Sequence, residues 1–444
     1  MTESGTPEEL RIVLSATASG EGPARLLNKN FLLLWQGQFV SQFGTQLHAF
    51  AMMFWIKHAT GSATLMGTIM MLSTLPGVIL APLGGTIADR ISRKKIIVWG
   101  DLIAGISVLL LAVFLFYFPE KVDLSITFLG TVAVILGIIS AIFNPAIGAA
   151  IPDIVPRERI SAANSMRQSA AQTASLVGQG IGGVLYRVLG APMLLLIDGI
   201  SYIFSGVSCL FIKIPQKFPE KTKGLRETIR AFLHDLREGL RYVWQRKGLR
   251  DFILSATLIN FFFAPMAALL PFHVEDHLHA TPDWFGYMIA SIGGGSLVGY
   301  AIAGTLKVSG AKRTRLFIAA MFGVGLMLFL FGLNRDRFLG VSIMALLGVT
   351  LGIINIFVAS ILQATTPTEI RGRVFGLLTT ISGGLMPLGM GLAGVIADLT
   401  GQRIPLIFTV SGILVLLTVA ALTRSKEFRI FIAFEKEETL IPDR

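Results

Sequence analysis

The sequence predicts an all-α membrane protein with twelve transmembrane helices in two six-helix repeats, related by a pseudo-twofold axis along the membrane normal. Three observations predict it. The 444 residues are 53% hydrophobic and 15% charged, with a mean hydropathy of +0.70, where a soluble domain carries about 25% charged residues. Twelve apolar stretches are centred near residues 44, 77, 107, 136, 177, 202, 263, 295, 324, 350, 386 and 413, and a bilayer-crossing helix needs roughly 20 such residues. The second six stretches also echo the first six at nearly constant spacing.

In chain order, residues 1–28 are polar and read as a cytoplasmic tail, because the short charged pattern of a cleavable leader is missing before Phe31. Residues 29–213 form the first bundle. Between residues 84 and 95, GGTIADRISRKK reads as a short loop and hinge point between spans two and three, carrying one acid and four bases. The single cysteine, Cys209, lies in span six, which excludes an internal disulfide or a CxxC site and leaves a small packing residue. Residues 214–250 are the linker. There Leu225, Ile229, Phe232, Leu233, Leu236, Leu240 and Trp244 recur at helical spacing, with Arg226, Arg230, Arg237 and Arg241 between them. A basic amphipathic helix on anionic lipids of the inner leaflet fits that pattern, and a soluble connector is the other reading. Residues 251–424 form the second bundle and 425–444 a second cytoplasmic tail.

The repeat is legible at two offsets. Gly304 and Thr305 answer Gly85 and Thr86 at 219 residues, and Lys312 and Arg313 answer Arg93 and Lys94. At 211 residues, Gly137, Asn144, Pro156, Glu158, Gly178, Gly180 and Gly183 recur as Gly348, Asn355, Pro367, Glu369, Gly389, Gly391 and Gly394. Two like-oriented repeats allow one half to rock against the other, with the guest bound near the midplane. The net charge of +11 does not require nucleic acid. With both termini cytoplasmic, all but six of the 38 bases fall on inside segments, the six being Lys57, Lys121, Arg187, Arg335, Arg337 and Arg403. This is the positive-inside pattern.

These residues resemble the major facilitator superfamily from about residue 25 to 424. GTIADRISRKK is similar to that family's loop signature, with Gly85, Asp89, Arg90, Arg93 and Lys94 in the matching places and Ser92 where a second glycine is usual. WQGQFVSQFGTQL, KHATGSATLMG, AANSMRQSA and EGLRYVWQ resemble the drug-efflux branch that holds macrolide exporters and the enterobactin exporter. The resemblance implies that Asp89 acts as a latch against the start of span eleven, near Gly372 and Arg373. It also marks Gly178, Gly182 and Gly183 with Gly389, Gly391 and Gly394 as gating glycines, with close static packing as the alternative. Two departures stand out. Gln179 replaces the proline of the antiporter signature in GQGIGG, and span four, from about Ile126 to Ile151, lacks the arginine that some efflux members use. The second copy of the loop has Val308 in the place of Asp89, so one half alone is expected to carry the latch.

Polar groups at membrane depth are the remaining candidates, since a charge at a helix centre costs about 2.5 to 3.5 kcal/mol. Gln38, Gln42 and Gln46 recur every fourth residue on span one, and with Asn144, Asn260 and Asn355 they are expected to line the cavity, with interhelical hydrogen bonding inside the first bundle as the alternative for the glutamines. Asp198, Asp101 and His48 are candidates for proton coupling. Asp101 is expected to pair with Arg90 or Arg93, and Arg187 is the nearest cation to Asp198. Glu275 and Asp276, with His273, His277 and His279, read as an exposed polar loop rather than a metal site. No GK dipeptide, HExxH or GxSxG occurs, so no P-loop and no enzyme is expected, and no cofactor. The sequence therefore points to a monomeric secondary transporter of an amphipathic drug-like or natural-product small molecule, with the proton as coupling ion, in a bacterial-type cytoplasmic membrane. A lysophospholipid or siderophore carrier, and a non-cycling assembly or sensory protein, are the alternatives.

Overall fold

The computed structural model describes residues 26–216, 237–306, 308–366, 374, 376, 378 and 380–433, and these are helical with short turns. The first bundle comprises α1 (Lys29–Thr60), α2 (Ala63–Arg90), α3 (Arg93–Tyr117), α4 (Val122–Ile154) and α5 (Ile160–Leu210). The second comprises α6 (Lys247–Phe272), α7 (Pro282–Thr305), α8 (Gly310–Leu333), α9 (Arg337–Thr365), α10 (Met386–Leu399) and α11 (Ile404–Thr423), followed by a short α12 (Lys426–Ala433).

The helix starts are set by side chains that accept the free N–H groups of a first turn. Asn28, Ser62, Ser92 and Asp336 do so for Phe31, Leu65, Lys95 and Leu339. Gly61, at φ 63°, ends α1 in the left-handed conformation that glycine adopts without strain. The 51 residues of α5 are two limbs, broken where Gly190 takes φ 75° and ψ 170° just before Pro192.

Ten helical segments among the described residues are long and apolar enough to cross a membrane, one of them the bent stretch 157–210. The 32-residue α1 is not among the ten. Its glutamines and His48 dilute its hydropathy, which marks a helix that spends its polar groups on neighbours rather than on lipid. Large apolar side chains such as Ile79, Trp99, Phe116 and Leu399 stand exposed, Leu399 at 81%. That surface suits hydrocarbon rather than water.

Within the first bundle α1 packs along α5, α2 along α4 and α3 along α5; in the second, α7 packs along α9 and α8 along α11. The two bundles meet where α5 crosses α7 and α2 crosses α10. The chain enters at Asn28 and leaves through α12 on one face, here the terminal face; the turns at Gly61 and Pro282 lie on the far face.

Three sequence expectations need correction. Residues 84–90 are not loop but the last two turns of α2, and the connection to α3 is Ile91 and Ser92, because Ser92 caps α3 at once. Gly85 faces open space, and it is Gly84 that lies against the Ala141 carbonyl of α4. Lys426 to Ala433 form a helix with Phe428 and Ile432 fully buried, so the second tail begins as a packed element, with Gly248 against the Glu427 carbonyl and Arg313 donating to the Ala433 carbonyl. Gly372 and Arg373, and Leu225 to Leu236 of the linker, lie outside the described residues; residues 237–245 are helical, with Trp244 exposed and Val243 buried.

Candidate functional site: a buried polar seam and a closed far face

A polar seam runs between α1 and the second limb of α5. Asp198, Ser201 and Ser205 share one face of α5 at helical spacing and are buried, Asp198 completely. Gly37 and Gly44 of α1 admit them. A Cβ on Gly37 would stand 3.0 Å from Ser205 Oγ, and one on Gly44 would stand 2.7 Å from Asp198 Oδ1 and 3.0 Å from its Cα. His48 Nδ1 lies 3.0 Å from Asp198 Oδ2. One helical turn deeper, Tyr202 and Thr45 share a hydroxyl contact at 2.9 Å. Ser205 then donates to Asp101 Oδ2 of α3 at 2.7 Å, and Gln38 donates to Ser205 at 3.3 Å.

The seam therefore gathers three helices around two carboxylates that are withdrawn from solvent. A buried carboxyl group is tolerated when hydrogen-bonded and can change protonation at a cost its partners set. The expected pairing of Asp101 with Arg90 or Arg93 is not seen, and the cation nearest to Asp198 in sequence is engaged elsewhere. Asp101 bonds to Ser205 because Arg93 turns to Asp153 and the Ala149 carbonyl of α4 and also touches Asp89 at 3.4 Å. Arg187 does not serve Asp198 but pairs with Asp283 at 2.8 Å.

That second pair belongs to the far face, where side chains join the bundles. Lys57 donates to Glu275 at 2.6 Å and to Asp276 at 2.7 Å. His58 bridges Tyr186 and Glu275, at 3.0 Å from each. Asp398, in the last turn of α10, accepts from the Ala63 and Thr64 N–H groups at 3.1 and 2.8 Å and from the Ser62 hydroxyl at 2.9 Å. Gln402 adds a bond to the Gly61 carbonyl. The segment expected as an exposed loop is instead a π-helical turn, His273–His277, with His273 fully buried against Phe331 and Phe408. Glu275 is drawn in where Lys57 meets it, while Asp276 and His279 stay exposed.

The glycines sort into two kinds. Gly178 rests on Gln46, Gly182 on Phe50 and Gly389 on Ala264, each inside its own bundle. Gly183 lies against the Asp283 backbone, Gly391 against Met71 and Gly394 against Ala63 and Thr64, all across the boundary.

A family model described as transmembrane secretion effector matches residues 21–436. The chain belongs to this family of major facilitator transporters. Macrolide efflux protein A of Streptococcus pyogenes is 28% identical over 373 residues, which cover 84% of this chain and 90% of that protein. The multidrug efflux pump Tap of Mycolicibacterium fortuitum is 26% identical over 351 residues, 77% of this chain and 82% of that one. The nucleoside transporter NupG superposes with a TM-score of 0.71 at 12% identity, over 92% of this chain and all of that one. At that identity the likeness is one of fold. The chain is thus a multi-pass integral membrane protein whose relatives are transporters, of the drug-efflux branch.

Within this major facilitator chain the predicted polar residues do not share one surface. Gln38 is buried and turned into its own bundle toward Ser205, and Gln46 accepts from Gln179 of α5 at 2.6 Å. The fourfold spacing drifts around the helix, so a stripe in sequence becomes interhelical bonding at its ends. Gln42 and Asn260 are half-buried, while Asn144, bonded to Ser140, and Asn355 are exposed. Asp89 is 63% exposed beside Arg93, and Arg90 and Lys94 are half-buried near it. Sequence reading missed Asp398, Asp283 and Asp153, all at helix ends. For Asp398 and Asp283 the signal was present in the scarcity of charges on the far-face segments, where each one counts.

Proposed function

We propose that the chain is a secondary active exporter that moves an amphipathic, drug-like or natural-product small molecule by alternating access in exchange for protons. The far face is the extracytoplasmic one in this reading, since the bases crowd the terminal-face segments and the positive-inside rule keeps those in the cytoplasm. The protein then has twelve spans, counting the two limbs of α5 separately and adding α1, and both termini are cytoplasmic in a bacterial-type inner membrane.

The observation that carries the reading is the character of the far-face boundary. Around a buried aromatic contact of Phe50 and Phe54 with Phe285, it is built from ion pairs, a carboxylate on backbone N–H groups and glycine crossings, and these polar and glycine contacts can part without unpacking the helices within either bundle. The repeat supports it further: Gly178 and Gly389, 211 residues apart, each seat a helix of their own bundle, while Gly183 and Gly394 each meet the other bundle. The names of the relatives support macrolide-like guests, and the neutral amides Gln42, Asn144, Asn260 and Asn355 suit a guest of mixed polarity. For the proton we assign His48 and Asp198, with Asp101 as a second carboxylate. Asp89 is retained as the cytoplasmic latch.

The test is proton movement in proteoliposomes, read by a quenched pH dye and challenged with macrolides, tetracyclines, siderophores and lysophospholipids. Macrolide-dependent proton flux is expected. A pH trace that answers to none of the four classes overturns the reading, and a response confined to lysophospholipid or siderophore replaces the guest. In the same assay Asp89→Ala is expected to lower efflux severalfold; unaltered efflux removes Asp89 as a latch.

A further inference from the structure

We propose that Asp398 is the residue that holds the extracytoplasmic gate shut, and that it is the repeat counterpart of Arg187 with the chemistry reversed. The inference rests on the alternating-access reading above and names the group that sets its closed state. Arg187 and Asp398 are 211 residues apart, the interval that also relates Gly183 to Gly394. Their partners Thr64 and Asp283 are 219 apart, the other interval of the repeat. The two arms of the gate thus use the same two positions. In one arm a cation on α5 meets a carboxylate in the first turn of α7, at 2.8 Å. In the other a carboxylate on α10 meets the first turn of α2 itself.

The second arm is the stronger by its geometry. Asp398 gathers the Ala63 and Thr64 N–H groups, the Ser62 hydroxyl and the Gln402 amide, the last at 3.2 Å. Charge-assisted bonds of this kind are about twice as strong as neutral ones, and a carboxylate is favoured at a helix N-terminus. The Arg187 side chain is 55% exposed, so water and salt weaken its pair.

The position also costs Asp398 something within its own helix. It sits in the last turn of α10, where the helix dipole disfavours an acid. Nothing inside α10 recommends that placement, while the contact across the gate offsets it. Asp89 stands in the same tripeptide, Ile-Ala-Asp, and in the same unfavourable last turn of α2. The helix pair α2 and α10 therefore carries one acid at each of its two ends, Asp398 seated on the opposite bundle and Asp89 beside Arg93 of its own.

Spin labels on Glu120→Cys and Arg335→Cys, in exposed turns of opposite bundles on the far face, read the gate by pulsed electron resonance in a Cys209→Ala background. Asp398→Ala is expected to raise the ratio of open to closed distances about tenfold or more, for the loss of several charge-assisted bonds. Ser62→Gly, which removes the hydroxyl bond to Asp398 together with the cap on the Leu65 N–H and leaves an acceptable helix start, is expected to shift it a few-fold the same way. A distribution identical to the parent in Ser62→Gly and in folded Asp398→Ala overturns the latch, provided the parent gate responds to the macrolide erythromycin or to external acid. One fixed distance in parent and variants under every condition overturns the alternating-access reading along with it.

Discussion

Replacing Asp198 with leucine is expected to cost about 3 kcal/mol of stability, more than any surface change in this chain. The carboxyl is fully buried and lies 3.0 Å from His48, with Ser201 beside it. Taking one partner from a buried hydrogen-bonded pair leaves the other unsatisfied, at about 1 to 3 kcal/mol, and about 3 to 5 kcal/mol where the pair is ionic. His48→Leu should cost a similar amount for the same reason. The double variant should then cost clearly less than the two single ones together, since no unpaired polar group remains. Denaturation of the detergent-solubilised variants measures all three. Strict additivity would mean that the contact carries no energy.

Asp198→Asn separates that structural part from the proposed coupling. The amide fills the same space and keeps a bond to His48, so the fold should hold within about 1 kcal/mol. It cannot take up and release a proton. Guest-dependent proton flux is expected to fall at least tenfold while guest binding persists, the split that loss of coupling requires. If Asp198→Asn exports with the parent's pH dependence, the proton is carried elsewhere, and Asp101 on Ser205 is next in line.

Much of this was legible in the chain because a bilayer simplifies the code. Long apolar runs can be read as spans, and most of them return here as long apolar helices. The depth-polar residues Asp198, His48 and Asp101 were also visible, since their cost in hydrocarbon makes them conspicuous. What stayed hidden was pairing. Asp198 meets His48 and not Arg187 because Gly37 and Gly44 bring α1 against α5, a contact between residues 150 apart that no local pattern records. The glutamines divide between the two readings the pattern left open: every fourth residue keeps a face only approximately, and over two turns Gln38 and Gln46 rotate into interhelical bonds with different neighbours. Asp283 and Asp398 gained a role only where the opposite bundle supplied Arg187 and the first turn of α2.

Gly394→Val is expected to abolish export while leaving the protein as stable as the parent within about 1 kcal/mol, and Gly44→Val is expected to do the reverse in stability. Both glycines lie against backbone, which cannot yield as a side chain tip can. A Cβ on Gly394 would stand 3.0 Å from the Ala63 carbonyl carbon and 3.1 Å from Thr64 Cα, with the Ala63 oxygen nearer still. A Cβ on Gly44 would stand 3.0 Å from Asp198 Cα, with Ser201 Oγ nearer. Overpacking of this kind costs about 1 to 3 kcal/mol wherever it cannot be relieved. At Gly44 it cannot, because α1 and α5 belong to one bundle that stays packed throughout the cycle, so the unfolding transition should move by that amount. At Gly394 the boundary between bundles offers relief by parting. The same 1 to 3 kcal/mol then falls on the outer-closed state alone and shifts the gate toward open by about 5- to 150-fold. The valine chain should unfold like the parent, show the long distances between the two far-face labels, and fail to return to the closed state that export requires. A Gly394→Val chain that exports normally would show that α10 and α2 never need to approach as closely as they do here, and the gate would have to lie elsewhere.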